Sequence, residues 1–600
     1  MQKIIFRNGG RRNNLVPDAE QYRRMAERAA SLGATHMYVT PVLKSIWQWD
    51  SDRADPYPNW QIRHATLFKI CLPKLLMPYM PKEALEHAKI NQELVAGRAA
   101  VLKEFGLRAA YNGCDPAYLP EAVFRAFPSW RGPRCDQPRR STKEYYSPCC
   151  DVPEVRELFK SAMAELCGLV PVEYMNLLTN DCGGGTCWSE NLYSGKNGPA
   201  ACAHIGLAER VTNFLSALQE GAAMSGVKLE VGYNGIFRPF EIDAITPSLK
   251  EGQYIYQRAR NNNVADFSVN YEADANPVIG LPDPLCFADE MQAVKADYEN
   301  TITINMPLTD GGEAEAFFKK GWRKIGPGPL GRINLLNDVA EQYVGAEFAT
   351  DLAEVWAKIR SAVSDQFMIR NGCQAFWVGG VQERLLTRPF VPFQNELTPE
   401  EKDYYREYQF TKCLPDKDSD NLMNFQGAVY IRGYSGWFLI DSILDTAENH
   451  LKKGLECLDR VLNGLPAEHN YRRELVVLKF RIRALICVYR NLVNAAEFQS
   501  VLDLTDRETP PSDKYEVWYM QGDELLYRIK AAFRREIDNT VELIDILENS
   551  PAPVFQLSAD KHDEDILMLG CDIVDQLKKK IRIMEDHRGD FNRVYMNFNR

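Results

Sequence analysis

The sequence contains no stretch of about 18 consecutive apolar residues, the length that a membrane-spanning helix requires. Its opening letters, MQKIIFRNGGRRNN, hold only three apolar residues in a row, which is not typical of a secretory signal peptide. An excess of positive charge is also absent, since the net charge is −11 and the pI is about 5.5. We therefore expect a cytoplasmic protein that uses neither a membrane nor a nucleic acid as its partner.

Several other sequence signals are missing. No glycine-rich dinucleotide fingerprint follows the first predicted strand, and no repeat of fixed period or low-complexity tract occurs.

The fifteen cysteines are scattered over 600 residues without a secretion signal, which predicts free thiols in a reducing compartment. An apolar content of 45% and a charged content of 26% are typical of soluble globular protein, and the length predicts two to four domains.

The first half of the chain alternates between helical patterns and short apolar runs. Eight such runs read as strands, and they start near Ile4, Thr35, Leu107, Tyr174, Val227, Gln253, Phe267 and Thr301. Eight β/α units in about 310 residues predict a closed (β/α)₈ TIM barrel over residues 1–325. An open doubly wound sheet is the competing arrangement. Before the fourth strand, Asp151 and Glu154 are predicted to form a capping box for a helix.

The helical pattern dominates after the eighth strand. A helical segment and a proline-containing linker occupy residues 326–440 and are predicted to pack on the barrel. Long amphipathic patterns then run to the C-terminus, so residues 441–600 are predicted to form a C-terminal all-α domain. The apolar faces of these helices can be buried against one another. We therefore expect the helices after residue 440 to pack together.

The stretch after the fourth strand carries the most chemical information. The strand from Tyr174 ends in Thr179-Asn180-Asp181, three glycines follow, and Trp188 and Glu190 lie on the next loop. A carboxylate at the end of a buried strand, beside glycines and an aromatic ring, is typical of a sugar site in a barrel enzyme. The alternative is that Asp181 caps a turn and Trp188 covers core.

With these motifs the chain resembles a TIM-barrel glycoside hydrolase, similar to little-characterised bacterial relatives of the α-glucuronidase and β-hexosaminidase barrels. The residues that carry the resemblance are Thr179 to Asp181 with the following CGGGTCW, the LYSGKNGP that ends at Pro199, and the RPFVPF from Arg388. The helical segment 333–365 also resembles the piece that follows the barrel in α-glucuronidase-like proteins.

The resemblance implies roles for two carboxylates. In retaining barrel glycosidases the acid/base usually follows strand four and the nucleophile follows strand seven, which here are Asp181 and Glu272. Many such enzymes carry Asn-Glu where this chain has Asn180-Asp181. Hexosaminidases that use the substrate's acetamide carry Asp-Glu where this chain has Asp181-Cys182. Glu190 is therefore the reserve acid.

Other residues at predicted strand ends could bind the sugar. The arginines suit a carboxylate or sulfate group, the aromatic rings can stack on sugar faces, and the amides can bond hydroxyls. The alternative is that the arginines pair with Asp115, Asp274 or Asp283 and that the rings only pack. The predicted substrate-binding residues are Arg7, Asn112, Asn180, Trp188, Glu190, Tyr233, Asn234, Arg258, Tyr271 and Asp274.

No cofactor is predicted. Cys182, Cys187, Cys202 and His204 are close together in the chain, but their spacing is not that of a zinc ribbon or finger, so no metal is expected. We interpret the chain as a glycosidase acting on a carbohydrate, with an acidic or N-acetylated sugar as the candidate substrate and the helical region as the candidate surface for a homo-oligomer. The alternatives are a non-catalytic carbohydrate- or partner-binding barrel, and a sugar-acid lyase or isomerase.

Overall fold

The fold is taken from a computed structural model. The structure describes residues 3–8, 16–43, 64–136, 143–178, 186–189, 197–234, 237–255, 267–270, 272–293, 302–306, 328–372, 382–408, 420–423, 434–505 and 522–594.

The chain forms two compact units. Unit 1 comprises Met1–Asn270 and Glu290–Leu308, and unit 2 comprises Tyr271–Asp289 and Thr309–Arg600. The predicted domain boundaries at residues 325 and 440 stay a prediction.

Unit 1 alternates strands and helices, as the sequence pattern indicates. Its strands are β1 (Ile4–Asn8), β2 (His36–Tyr38), β3 (Arg108–Gly113), β4 (Arg131–Arg134), β5 (Tyr146–Pro148), β6 (Val172–Leu178), β7 (Glu230–Asn234), β8 (Gln253–Ile255), β9 (Phe267–Asn270) and β10 (Ile302–Met306). Its helices are α1 (Ala19–Ser31), α2 (Glu83–Glu104), α3 (Glu121–Ala126), α4 (Pro153–Leu169), α5 (Leu207–Met224) and α6 (Pro239–Ile245). Helix α7 (Pro284–Ala293) begins in the unit 2 range of the chain.

Eight of these strands form one parallel sheet, and they are the eight that the sequence predicted. The order across the sheet is β8-β7-β6-β3-β2-β1-β10-β9, and each of the seven neighbouring pairs is parallel. Strands β4 and β5 form a separate antiparallel ribbon that the sequence analysis did not predict. The fold class is therefore α/β with a parallel sheet, and closure into a full eight-stranded barrel stays a prediction.

The first strand of the sheet pairs with the last. Ile4 lies opposite Ile302 and Phe6 lies opposite Ile304, while the other edge of β1 pairs with β2. Neighbouring positions for the first and last strands are what a barrel requires.

The sheet is strongly curled. The Lys3 ammonium forms an ion pair with the Glu230 carboxylate on β7, although three strands lie between β7 and β1. In a flat sheet four strand spacings would separate these positions by about 19 Å. On the same concave side, side chains from five strands form one buried cluster, made of Ile5, Tyr38, Ala110, Tyr174 and Tyr254. We call this side the inner face of the sheet.

Helices α4 and α5 cover the opposite face of the sheet near β6 and β7. They pack so closely that a Cβ atom added to Gly221 would lie 2.3 Å from the Lys160 carbonyl oxygen. The ring of Phe214 on α5 meets the ring of Phe159 on α4 edge-on, with their centroids 5.1 Å apart. This apolar layer fixes β6, from which the loop with Asp181 continues.

Unit 2 is mainly helical. Its helices in the described ranges are α8 (Gly328–Val344), α9 (Ala349–Gly372), α10 (Pro399–Arg406), α11 (Tyr434–Gly464), α12 (Arg472–Thr505), α13 (Gly522–Asn549) and α14 (Ile573–Asp586). Helix α11 packs against α9 and α12, and α13 packs against α12 and α14, so the helices after residue 440 do pack together. Among the described helices, none combines the length and apolar content that crossing a bilayer requires.

A buried ion pair lies inside unit 2. The Lys580 ammonium contacts the Glu536 carboxylate, and both side chains are almost completely buried. Asn491 donates to one Glu536 oxygen at 2.7 Å and Asn494 to the other at 3.0 Å. Burial lowers the pKa of Lys580, and Glu536 opposes part of that shift.

We expect Lys580→Met to lower the free energy of unfolding by about 3–5 kcal/mol, because it leaves the Glu536 charge buried without its cation. Lys578→Met on the same helix is the matched control, since the Lys578–Glu548 pair is 53% and 46% exposed, solvent screens its attraction, and its loss should change the free energy of unfolding far less. Denaturant-induced unfolding measures both changes. Equal losses in the two variants would contradict the prediction.

Candidate functional site

The candidate site is the carboxyl end of the parallel sheet in unit 1, where the strands place polar side chains above an aromatic layer. The rings of Tyr174 and Tyr254 stack on the inner face with centroids 5.4 Å apart. The Tyr254 hydroxyl donates to the Met175 carbonyl at 2.8 Å, which fixes this ring against β6. Gly232 makes room for it, because a Cβ atom there would lie 2.5 Å from the ring.

Two asparagines form the next layer towards the carboxyl ends. Side chains alternate along a strand, so Asn112 shares a face with Ala110, and Asn176 shares a face with Tyr174. The Asn176 side-chain amide donates to the Asn112 side-chain oxygen at 2.8 Å. The Thr40 hydroxyl, just after β2, accepts from the Asn112 backbone N–H at 3.1 Å. We call Thr40, Asn112 and Asn176 the amide layer.

The amide layer is buried but incompletely satisfied. Asn112 is 7% exposed and Asn176 is 3% exposed. The Asn176 side-chain oxygen has no hydrogen-bond partner among the described residues. A buried acceptor of this kind costs about 1–3 kcal/mol unless a donor reaches it. A hydroxyl group of a ligand is one such donor, so the layer is chemically suited to binding a polyol.

Asp115 lies two residues beyond β3 and is completely buried. Its carboxylate accepts from the Leu67 N–H at 3.1 Å and from the Tyr111 hydroxyl at 3.1 Å. Burial raises the pKa of Asp115 to about 7, and these hydrogen bonds and Lys69 offset part of the rise. The segment at Leu67 is also held by the Cys114 N–H, which donates to the Ala65 carbonyl at 2.8 Å. Asp115 therefore anchors the chain that follows β2.

The loop after β6 is described only in part. Asn180, Asp181 and Glu190 lie outside the described residues, so the acid and its reserve stay predictions. Trp188 is described and has a positive φ of 63°. Its indole N–H donates to the Cys202 sulfur at 3.3 Å, and its ring packs against Gly198. These contacts agree with the alternative that Trp188 covers core. Stacking of Trp188 on a sugar stays a prediction.

Tyr233 is part of the core on the side of the sheet that faces the helices. It is 1% exposed, and its ring lies between Phe214 and Phe237 at centroid distances of 6.3 and 5.8 Å. Burial raises its pKa well above the usual range. This is again the packing role, and a contact between Tyr233 and substrate stays a prediction.

Glu272 and Asp274 follow β9 and belong to unit 2. Both are partly buried, and Glu272 forms an isolated antiparallel bridge with Pro282. The segment is fastened within unit 2, since the Ile279 N–H donates to the Val554 carbonyl at 3.0 Å. Glu272 and Asp274 thus occupy a well-anchored segment, but their predicted roles stay untested.

The remaining predicted residues are less fully described. Arg7 and Asn234 are described only in their backbone, at the ends of β1 and β7, and Arg258 and Tyr271 lie outside the described residues. The sequence left open that a strand-end arginine pairs with Asp283. In the part of the chain that the structure describes, Asp283 pairs with Arg360. The Arg360 guanidinium lies 3.2 Å from the Asp283 carboxylate, and burial raises the Asp283 pKa.

The capping box predicted at Asp151 is wrong. Helix α4 begins at Pro153 after Val152, and no side chain caps it. The Asp151 carboxylate instead accepts from the Arg210 guanidinium at 2.5 Å, 59 residues along the chain. Arg210 is buried and brings Asp151 next to three cysteines, Cys149, Cys187 and Cys202. His204, which the sequence grouped with them, is exposed.

Sequence reasoning overlooked Asn176 and Thr40 as site residues and treated Asp115 only as an ion-pair partner. A signal for Asn176 was present, because an amide in the middle of the apolar run from Tyr174 to Leu178 has to find a polar partner once buried. The partner of Asn176 lies on a neighbouring strand, 64 residues away, and is not visible in the local pattern.

Known proteins resemble this chain in structure but not in sequence. No protein-family model matches the chain, and neither does any curated protein. A GH138 enzyme that targets pectin rhamnogalacturonan II has a TM-score of 0.50 and 12% identity, covering 99% of this chain and 68% of that chain. The Flavobacterium johnsoniae chitobiase, a GH20 protein, has a TM-score of 0.31 and 12% identity over 97% of this chain and 78% of its own.

A third structure is the GH36 α-galactosidase AgaA from Geobacillus stearothermophilus. It has a TM-score of 0.29 and 11% identity, covering 54% of this chain and 42% of that chain. At these identities the likeness to the GH138 enzyme shows a shared fold, and the two lower scores carry no further argument. The structural neighbours are thus glycoside hydrolases of several families.

The raised pKa of Asp115 gives a pH-dependent prediction. The folded protein holds a proton that the unfolded chain releases between about pH 4 and pH 7, so raising the pH through this window lowers the free energy of unfolding. Asparagine has no proton to lose and keeps an acceptor for the Leu67 N–H. Asp115→Asn should therefore gain stability relative to the wild type as the pH rises, by on the order of 4 kcal/mol over the whole window.

Thermal unfolding at several pH values between about 4 and 8 measures this difference. Asp18→Asn is the control, because Asp18 is an exposed helix cap and asparagine also caps well. If the curves of Asp115→Asn and the wild type stay parallel across the window, the Asp115 carboxyl does not carry the raised pKa.

Proposed function

We propose that the chain is a glycoside hydrolase whose substrate binds at the carboxyl ends of the parallel strands of unit 1. The observation that carries the proposal is the amide layer, a buried polar patch on the inner face of the sheet where apolar side chains could have filled the space. The fold shared with the GH138 enzyme supports the same class of enzyme. In parallel α/β enzymes the site lies at this end of the sheet.

The amide layer contributes binding and orientation. The Asn176 oxygen accepts a hydrogen bond from a sugar hydroxyl, and the Asn176–Asn112 bond at 2.8 Å keeps that oxygen in place before the substrate arrives. Tyr174 and Tyr254 form an aromatic floor under it. A preorganised acceptor above aromatic rings suits a sugar, which has hydroxyl groups on its edges and C–H groups on its faces.

The chemistry is assigned to the two carboxylates inferred from the sequence. Asp181 protonates the leaving oxygen, and Glu272 attacks or stabilises the oxocarbenium-like centre. Glu190 is the alternative acid. Closure of the parallel sheet into a full barrel, through β8 and β9, belongs to the same proposal. Cytoplasmic location, bacterial origin and a homo-oligomer through the helical region stay predictions.

The resemblance and the shared fold support the proposed substrate class. An acidic or N-acetylated sugar is the wider class, and rhamnogalacturonan-type glycosides come first because the GH138 enzyme targets rhamnogalacturonan II. Aryl uronides and aryl N-acetylhexosaminides complete the panel. The competing function is a carbohydrate-binding protein without turnover, which the same panel distinguishes by binding without product.

We expect Asn176→Ala to lower kcat/KM about 5- to 150-fold, because it leaves a buried hydroxyl of the substrate without its acceptor, which costs about 1–3 kcal/mol. Asn91→Ala is the matched control. Asn91 is a buried asparagine of the same unit whose side-chain oxygen accepts from the Leu43 N–H at 3.0 Å and whose side-chain nitrogen donates to the Lys69 carbonyl at 2.9 Å. Its loss should change stability but not the kcat/KM of the folded protein. Equal kinetic losses would remove the amide layer from the site.

We expect Asp181→Asn and Glu272→Gln each to lower turnover by several orders of magnitude while the fold persists, because each removes a group that acts in the transition state. Circular dichroism and steady-state kinetics measure the two effects. If Asp181→Asn turns over its best substrate at a rate near that of the wild type, the acid is assigned wrongly and Glu190→Gln is tested in its place. If both amide variants stay active, the two-carboxylate mechanism is wrong.

A further inference from the structure

Four side chains in unit 1 converge on one buried point. They are Cys149 and Asp151 before helix α4, Cys187 in the loop after β6, and Cys202 in the short 3₁₀ turn Ala200–Cys202 before helix α5. One ligand atom from each, three sulfurs and a carboxylate oxygen, lies within 4.8 Å of all the others. The three cysteines are 1%, 1% and 4% exposed. We name this set the thiol cluster.

We propose that the thiol cluster binds a thiophilic divalent cation, zinc in the first place, as a structural site. Zinc in such sites is tetrahedral with Zn–S bonds of about 2.3 Å, which places the sulfurs about 3.8 Å apart. The Cys149 and Cys187 sulfurs are 3.6 Å apart. Three cysteines and one carboxylate supply four protein ligands, and a site closed in this way is structural in type.

A disulfide fits these contacts less well. It would join two of the three sulfurs, shorten their separation from 3.6 Å to about 2.05 Å, and leave the third sulfur outside the bond. A metal uses all four groups without a large movement. The number and convergence of the ligands therefore favour the cation.

Hydrogen bonds from neighbouring residues hold the residues of the cluster in place. The Arg210 guanidinium donates to Asp151 at 2.5 Å, to the Cys187 carbonyl at 2.8 Å and to the Cys202 carbonyl at 2.9 Å. The Trp188 indole N–H donates to the Cys202 sulfur at 3.3 Å. Partners of this kind orient the ligands of a metal.

A divalent cation would offset most of the charge of the cluster. Three thiolates and one carboxylate carry −4, and a divalent cation with the Arg210 guanidinium carries +3. The remaining single negative charge faces the Trp188 N–H, while Val152 and Ile205 exclude water from the sulfurs. A bound cation would join the starts of helices α4 and α5 to the loop after β6. It would thereby hold part of the loop that carries Asp181, although the inference does not depend on the proposed function.

Metal analysis of the full chain, purified under reducing conditions with zinc in the growth medium, tests the proposal. We expect about one zinc per chain by elemental analysis. After removal by a chelator, cobalt(II) should restore one equivalent and give the intense visible bands of tetrahedral cobalt with thiolate charge transfer. Up to three protons should be released per metal bound, because the thiols lose theirs.

Cys149→Ser, Cys187→Ser and Cys202→Ser should each lower metal affinity at least 100-fold. Asp151→Asn should lower it about 10- to 100-fold, as loss of a weaker ligand or of a ligand's partner does. Cys167→Ser is the matched control, since Cys167 is a buried free cysteine in the same unit outside the cluster, and it should keep the metal.

Native mass spectrometry of the wild type keeps the test independent of how the variants fold. A zinc adduct on the reduced chain supports the proposal. Less than about one tenth of an equivalent of metal together with no cobalt spectrum overturns it. So does a Cys149–Cys187 disulfide that persists in the metal-free protein after purification under reducing conditions, or a metal affinity of the Cys187→Ser variant equal to that of the wild type.

Discussion

The parallel pairing between β1 and β10 is the contact on which unit 1 depends. It joins residues about 300 positions apart in the chain and makes neighbours of the first and last strands of the sheet. The strands on either side of it curl around a common interior, so that Ile5 and Tyr254 join one buried cluster although five strand spacings separate them. The Lys3–Glu230 ion pair across the amino ends of the strands belongs to the same curl.

The curvature of the sheet determines which side chains fit on its inner face. Its middle layer is filled by tyrosines and by small or aliphatic side chains, which bury apolar surface and stabilise the fold. One layer closer to the carboxyl ends, Asn112 and Asn176 replace apolar residues, and the polar cost of burying them is only partly met by their mutual hydrogen bond. Buried polar groups that lower stability are kept where they serve function. We place the sugar at the amide layer for this reason. In unit 2 the buried carboxylate of Glu536 has partners for both of its oxygens. It pairs with Lys580 and accepts hydrogen bonds from Asn491 and Asn494.

Local patterns were enough to predict most of the elements. Short apolar runs between helical patterns located all eight strands of the parallel sheet, and the 3.6-residue period located α4 and α5. The β4–β5 ribbon was missed because Arg131-Gly132-Pro133-Arg134 shows no alternation of apolar and polar residues. The capping box was predicted wrongly because Asp151 pairs with a buried cation from α5, Arg210, and does not cap the helix.

The site was harder to predict because its contacts are distant in the chain. The partner of Asn176 is 64 residues away, and Cys149 is 38 residues from the nearest sulfur of its cluster. The sequence grouped Cys187 and Cys202 with Cys182 and His204 by proximity in the chain, whereas the fold brings Cys149 and Asp151 to them. The ends of predicted strands indicate from the sequence where a site lies. They do not indicate which side chains contact each other there.

Hydrolysis in water enriched in oxygen-18 tests the central claim most directly. The panel of rhamnogalacturonan fragments, aryl uronides and aryl N-acetylhexosaminides is incubated with the full chain, and the products are analysed by mass spectrometry. A glycoside hydrolase places one oxygen-18 atom on the reducing end of the released sugar, and this is the predicted result. A product that is unsaturated and free of oxygen-18 would identify a lyase, and binding of the sugars without any cleavage would identify a binding protein; either outcome would contradict the account.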